Sequence, residues 1–321
     1  MDYILFLLSA AVVIFAGVKL SEYGDALAEV TGIGRSFIGI TLLALFTSLP
    51  ELISTIGALT LVDNPDLAFG NVYGSNMFNM LTIFLLDAYF RKTDVYSGIS
   101  ESNILTALYA AIVTIFSALG FYINIYIGPI SVVTLVVLML FIYSSYISYK
   151  VIEKDEEESN GVTLTLSGVV LRMGAAAFAI VLAGLMLSKS ADAIAISTGL
   201  GGSFVGSFFL AVVTSLPEVA ACYGAIRIGS VNMAMGNLFG SNLFNIAIIP
   251  VADLIYVKGP IFQYVSKGHI TAAIFATVAI LIPIAAIRER NFRTKIFGVT
   301  FHSYIIVLLY MVYSVYIYMV S

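Results

Sequence analysis

Charge is the scarcest commodity in this 321-residue chain: Asp, Glu, Lys and Arg make up only 11% of it, as 15 basic and 19 acidic residues. Cysteine occurs once, at Cys222, and histidine twice, at His269 and His302. A single cysteine excludes an intramolecular disulfide, and with no Cys/His cluster there is no ligand set for zinc or iron. The net charge of −4 is small and the basic residues lie in short connections instead of a patch, which excludes nucleic acid as a partner. No Ser/His, Asp/Asp or zinc arrangement suits an intramembrane enzyme, so neither catalysis nor a cofactor is expected.

What remains is apolar. The chain is 60% hydrophobic with a mean hydropathy of +1.02, which no soluble globular domain shows. Apolar runs of about 20 residues, the length that crosses a hydrocarbon core as a helix, recur along it. The expectation is an all-α, multi-pass protein of the cell membrane with the lipid bilayer as its surroundings. The first run, Tyr3 to Leu20, has no basic flank before it and reads as a true span, not a cleaved leader.

Hydropathy and Gly/Pro/Asn breaks predict ten spans, near 3–24, 33–60, 66–87, 103–118, 125–148, 165–188, 200–227, 231–256, 269–287 and 297–319. With the N-terminus outside, the cytoplasmic connections carry Lys19, Arg35, Arg91, Lys92, Lys150 and Lys154, then Arg227, Arg288, Arg290, Arg293 and Lys295. The opposite side holds Lys189, Lys258 and Lys267, so the positive-inside rule places both termini extracellular. Residues 149–164 are the most polar stretch. Their acidic run lacks the alternating ligand spacing of a calcium-wrapping loop and reads as a solvated cytoplasmic linker.

The decisive feature is an internal repeat. At an offset of 167, Ala16-Gly17, Leu20-Ser21 and Asp25-Ala26 match Ala183-Gly184, Leu187-Ser188 and Asp192-Ala193. The same offset carries Gly32, Gly34, Ser36, Phe37 and Gly39 onto Gly199, Gly201, Ser203, Phe204 and Gly206, and superimposes Thr47-Ser48-Leu49-Pro50-Glu51 on Thr214-Ser215-Leu216-Pro217-Glu218. One residue of slippage later, Gly70-Asn71-Val72-Tyr73-Gly74-Ser75-Asn76-Met77-Phe78-Asn79 meets Gly236-Asn237-Leu238-Phe239-Gly240-Ser241-Asn242-Leu243-Phe244-Asn245, and Asp87 meets Asp253. Five spans separate the copies, so the halves, 1–148 and 165–321, enter the membrane from opposite sides as two inverted five-helix repeats. Such repeats place a substrate site near the midplane and provide two related conformations, as alternating access requires.

A carboxylate at mid-membrane costs about 2.5–3.5 kcal/mol even on a lenient scale, and here two stand at matched positions, Glu51 and Glu218. A bound cation would offset that cost. Pro50 and Pro217 deprive the Phe46 and Val213 carbonyls of their helical donors, and such carbonyls can line a cavity. Carboxylates with carbonyls form a hard, all-oxygen ligand set suited to calcium and able to hold sodium. Thr47 and Ser48 lie four and three residues before Glu51, on or near its helical face, and Asn71, Ser75 and Asn79 form a stripe repeated by Asn237, Ser241 and Asn245. Gly70, Gly74, Gly236 and Gly240 would let that stripe approach the proline-broken helix. Asp87 and Asp253 fall near span ends, where a carboxylate reaches water, and His269 and His302 read as interface positions.

The two motifs resemble the alpha repeats of the sodium/calcium exchanger superfamily, also called the cation/calcium antiporters, over essentially the whole chain. The resemblance implies a calcium site made by Glu51 and Glu218 with main-chain oxygens of Thr47 and Thr214. It implies sodium sites drawing on Ser48, Ser215, Ser75, Ser241, the same glutamates and the carbonyls of Ala44 and Ala211, with Asn79 and Asn245 in the central layer. Many members of that family have Gly where this chain has Phe46 and Val213, and some have Asp where it has Asn245. The function so implied is antiport of Ca2+ against Na+. The rival is a proton-coupled antiporter of Ca2+ or another divalent cation, and a passive channel suits the paired halves less well than a carrier.

Overall fold

The structure is a computed structural model that describes residues 2–151, 165–197, 203–289 and 294–320. Gly199, Gly201, Lys154, Arg290, Arg293 and nearly all of the 149–164 linker lie outside those residues. The described chain is almost wholly helical. In order come α1 (Asp2–Thr31), α2 (Arg35–Ile38), a π-helical turn (Gly39–Leu43), α3 (Ala44–Thr47), α4 (Leu49–Thr60), α5 (Pro65–Tyr89), α6 (Glu101–Ser117) and, after a two-residue hairpin of β1 (Tyr126–Ile127) and β2 (Ile130–Ser131), α7 (Val132–Lys150). Next come α8 (Leu166–Ser197), α9 (Ser203–Thr214), α10 (Leu216–Arg227), α11 (Val231–Ile255), α12 (Gly268–Arg288), a second hairpin of β3 (Lys295–Ile296) and β4 (Val299–Thr300), and α13 (Phe301–Val320). Among the described residues, eight helical segments are long and apolar enough to cross a bilayer, and Val132–Ser148 is a shorter apolar helix. This is a multi-pass helical membrane protein.

Both hairpins occupy positions where apolar residues alone suggest the start of a span. Residues 125–131 and 297–300 turn back on themselves because Gly128 (φ 61°), Phe297 (φ 51°) and Gly298 (φ 84°) adopt left-handed conformations that stop a helix. α1 in turn runs past the expected end at residue 24 to Thr31. Its last two turns are held by Arg35, whose Nε lies 2.5 Å from Asp25 Oδ1 and whose guanidinium also reaches Glu29 Oε1 at 3.4 Å.

Burial orders the helices. α11 is the most enclosed of the apolar helices, whereas α1 and α13 present Leu7, Phe15, Tyr318 and Met319 outward, each more than 60% exposed in the chain alone, as lipid-facing residues are. Each half reaches into the other. α1 packs along α8 and α10, α5 along α9, and α11 along the α2–α3 segment. Gly17 sits against Pro217 and Ala220 of α10, and Gly184 against Pro50 of α4, so each outer helix touches the proline of the opposite half.

Asp87 and Asp253 correct the expectation that they reach water: both are buried, at 0% and 1% exposure. Asp253, near the end of α11, accepts from Ser131 N at 2.8 Å and Thr134 Oγ1 at 2.7 Å at the start of α7, and from Ile261 N at 2.8 Å. Asp87, near the end of α5, accepts from Thr300 N at 2.8 Å and Ser303 Oγ at 2.7 Å at the start of α13. Each carboxylate therefore caps a helix of the opposite half, where the N-terminal dipole favours negative charge. His269 is likewise partnered: its Nε2 lies 3.1 Å from Asp66 Oδ1, and its ring packs on Phe69.

Candidate functional site

The sequence Thr-Ser-Leu-Pro-Glu interrupts its helix twice in the same way. Ser48 and Ser215 sit between helical segments with nearly identical backbone angles, φ −90°, ψ 4° and φ −88°, ψ 7°. Proline at the second position of the following helix has no N–H to give, so the break costs little there and the next turn starts afresh. The Ala44 and Ala211 carbonyls keep a helical partner, the N–H groups of Ser48 at 3.1 Å and Ser215 at 3.2 Å. Glu51 and Glu218 follow in the first turn of α4 and α10, both fully buried.

The breaks aim the two serines across the molecule. Ser48 Oγ donates to Glu218 Oε1 at 2.9 Å, and Ser215 Oγ donates to Glu51 Oε1, also at 2.9 Å. Helical spacing places Ser48 beside its own Glu51; the structure pairs it with the glutamate of the other half. The threonines cross over as well. Thr47 Oγ1 lies 3.1 Å from Asn237 Oδ1 and 3.4 Å from Ser241 Oγ, and Thr214 Oγ1 lies 3.2 Å from Asn71 Oδ1. Ser75 Oγ reaches Glu51 Oε1 at 3.4 Å from within its own half.

A central layer lies on α5 and α11. Asn79 Nδ2 donates to Asn242 Oδ1 at 2.9 Å and Asn245 Nδ2 to Asn76 Oδ1 at 3.1 Å. Asn76 and Asn242 also exchange amide bonds with each other's main chain, at 3.2 and 3.3 Å. Spending the amide hydrogens this way leaves the Asn79 and Asn245 Oδ1 atoms directed elsewhere. Among the described residues, four buried oxygens consequently have no hydrogen-bond partner in this region: Glu51 Oε2, Glu218 Oε2, Asn79 Oδ1 and Asn245 Oδ1. They form two symmetry-matched pairs, one carboxylate and one amide oxygen from each half. An unpartnered buried acceptor costs about 1–3 kcal/mol, and more when charged, so these four oxygens are costly where they stand.

All twelve residues singled out in the sequence thus lie on the broken helices or on α5 and α11, and the side chains of Thr47, Ser48, Glu51, Ser75, Asn79, Thr214, Ser215, Glu218, Ser241 and Asn245 are buried together. Sequence reasoning gave no role to Asn76 and Asn242, although both stand inside the matched motif. It also passed over Thr55 and Cys222, which are 167 residues apart, the repeat offset. Thr55 Oγ1 and Cys222 Sγ each accept the amide of the neighbouring asparagine, from Asn71 Nδ2 at 3.3 Å and Asn237 Nδ2 at 3.3 Å, turning Oδ1 of that asparagine toward the opposite threonine.

Close approach of α11 to the broken helix depends on missing side chains. A Cβ on Gly240 would stand 2.4 Å from the Ile40 carbonyl oxygen and 2.8 Å from Ala44 Cβ, and one on Gly236 would stand 2.7 Å from the Ser36 carbonyl oxygen. These glycines meet the opposite half's broken helix. Gly240→Ala is expected to lower the thermal midpoint in detergent, by a destabilisation of about 1–3 kcal/mol from overpacking, and to reduce transport with it. Gly174→Ala, where a Cβ meets nothing within 4 Å, is expected to leave both unchanged. Equal midpoints for the two variants would contradict the packing described.

The family model for the sodium/calcium exchanger protein matches residues 1–151 and 168–319, that is, both halves. The chain belongs to this family. Membership places it among the exchangers. It is 27% identical over 257 residues to the inner membrane protein YrbG of Escherichia coli (strain K12), spanning 76% of this chain and 77% of that one. It is 36% identical to the sodium/calcium exchanger MaX1 of Methanosarcina acetivorans over 94 residues, 29% of this chain and 27% of that one. Among solved structures, the sodium-calcium exchanger NCX_Mj soaked with 2.5 mM Na+ and 1 mM Sr2+ superimposes with a TM-score of 0.74 at 20% identity over 97% of both chains, a likeness of fold.

Proposed function

We propose that this exchanger-family chain is a secondary antiporter that moves Ca2+ against Na+ through one buried site exposed alternately to the two sides of the membrane. The observation that carries the reading is the set of four unpartnered oxygens, Glu51 Oε2, Glu218 Oε2, Asn79 Oδ1 and Asn245 Oδ1. Two carboxylates and two amides form a hard ligand set whose two formal charges match one divalent ion or two monovalent ones. Ser48, Ser215, Ser75 and Ser241 add hydroxyls, and the main-chain oxygens of Thr47, Thr214, Ala44 and Ala211 complete the sodium and calcium positions. Because both ions need the same glutamates, binding of one excludes the other, and an unloaded site leaves two buried charges that resist crossing.

The architecture that goes with this reading has ten spans, α5 and α7 included, in two inverted repeats of five, 1–148 and 165–321. The 149–164 linker is cytoplasmic and both termini are extracellular. The crossed pairs Ser48–Glu218 and Ser215–Glu51, and the crossed caps Asp87–Ser303 and Asp253–Thr134, support pseudo-twofold symmetry. α1 and α8, resting on the opposite prolines through Gly17 and Gly184 and contributing no ligand, are suited to slide as gates.

The deciding measurement is Ca2+ uptake into vesicles driven by an imposed Na+ gradient with a protonophore present. Uptake that is saturable, dependent on Na+ and indifferent to the protonophore is the expected result. Uptake that follows a pH gradient and ignores Na+ would replace sodium by protons as the coupling ion, and non-saturable flux without counterflow would mean a channel.

A further inference from the structure

Away from the ion site, a groove of about 540 Å³ opens on the outer surface where α1 meets α10. Its walls are Ala11, Ile14, Phe15 and Val18, and its mouth is formed by Lys19, Glu22 and Arg227. The wall residues Ile14 and Phe15 are 50% and 67% exposed in the chain alone, so hydrocarbon is what covers them. The mouth has a defined depth. The apolar run from Tyr3 to Leu20 is about 27 Å long as a helix, close to the roughly 30 Å of a bilayer's hydrocarbon core, so Lys19 stands where hydrocarbon gives way to headgroups. Arg227 ends α10 at the same level, one turn after Tyr223, whose ring packs on Tyr89 and Phe90, each at 5.5 Å, as aromatic residues do at a membrane boundary.

The charges at the mouth do not balance. Lys19 Nζ is paired with Glu22 Oε2 at 2.5 Å, whereas Arg227 is exposed and makes no ion pair among the described residues. One guanidinium is left over above an apolar trough. We infer that this groove binds an anionic glycerophospholipid, with its phosphate at Arg227 and Lys19 and an acyl chain along Val18, Phe15, Ile14 and Ala11. A guanidinium suits a phosphate because its fixed donors match two oxygens at once. A zwitterionic headgroup carries no net charge to answer the surplus cation, so it binds less well. The groove takes the lipid from the leaflet in which Lys19 and Arg227 lie.

The test is native mass spectrometry of the purified full chain equilibrated with equal amounts of phosphatidylglycerol and phosphatidylcholine of identical chains. The wild type is expected to retain the anionic lipid about five-fold over the zwitterionic one, the ratio that about 1 kcal/mol for one uncompensated surface cation gives. Arg227→Gln brings the ratio near one, Glu22→Gln raises it above the wild-type value, and Lys295→Gln, an exposed cation on β3, leaves it unchanged. Three results would each overturn the inference: no preference in the wild type, equal effects of Arg227→Gln and Lys295→Gln, or displacement of the lipid by glycerophosphate at matched concentration, which would mean that the acyl chain contributes nothing.

Discussion

Glu51→Gln and Glu218→Gln are each expected to abolish measurable exchange, lowering Ca2+ uptake by at least about 100-fold, which corresponds to about 2.7 kcal/mol. Glutamine has nearly the shape of glutamate and can still accept from Ser215 or Ser48, whose hydroxyls lie 2.9 Å from the native carboxylates. The substitution therefore removes charge and spares the packing. At an effective dielectric constant of about 20, unit charges 4 Å apart interact by about 4 kcal/mol, and a divalent ion doubles the loss, so affinity falls steeply. The two variants are expected to be equally impaired, because each glutamate is held by a serine of the other half. Thermal unfolding should change little or rise slightly, since a buried charge disappears. Normal uptake by both variants would refute the site, and a large loss in one alone would refute the equivalence of the halves.

The second large effect concerns stability. Asp253→Ala leaves the Ser131 N–H and the Ile261 N–H without an acceptor in a buried place, whereas the Thr134 hydroxyl still has the Ser131 carbonyl oxygen at 2.7 Å. At about 1–3 kcal/mol for each stranded donor, the loss is on the order of 2–6 kcal/mol. Asp87→Ala strands one donor, Thr300 N, since Ser303 Oγ keeps the Tyr96 hydroxyl at 2.8 Å, and should cost less. Asp253→Asn, which keeps acceptor oxygen but loses charge, is expected between wild type and Asp253→Ala. Thermal midpoints in detergent order the variants: wild type highest, then Asp87→Ala, then Asp253→Ala. If Asp253→Ala melts with the wild type, the carboxylate does not hold α7. Because each aspartate ties a helix of the other half, loss of either loosens the join between the halves, and transport should fall in the same order.

These aspartates show where sequence reasoning stops. Their match in the repeat was legible, and so was their place near the ends of spans, from which solvent contact follows if only the parent helix is considered. What burial they have comes from α7 and α13, helices far along the chain. The hairpins before those two helices were hidden for a related reason. Tyr126, Ile127, Ile130, Ile296 and Val299 are apolar enough to read as the start of a span, and only the positive φ angles at Gly128, Phe297 and Gly298 show the chain doubling back.

At the site the division is sharper. Residue identity and the internal repeat, at an offset of 167 and then, one residue of slippage later, of 166, determine that two copies of Thr-Ser-Leu-Pro-Glu and of the asparagine-rich stripe exist and that each copy brings one carboxylate into an apolar chain. Proline determines that each helix breaks beside its glutamate, since that is a property of one missing N–H. Only the tertiary structure decided that Ser48 serves Glu218 and Ser215 serves Glu51, that Asn76 and Asn242 turn the amides of Asn245 and Asn79, and that Gly236 and Gly240 admit the opposite broken helix. Periodicity reports which residues share a face of one helix; it is silent about which helix that face will meet. Here Asn71 and Ser75 keep contact with Glu51 in their own half, while the serines and threonines at the two breaks turn to the other half, so that each carboxylate is held by both copies.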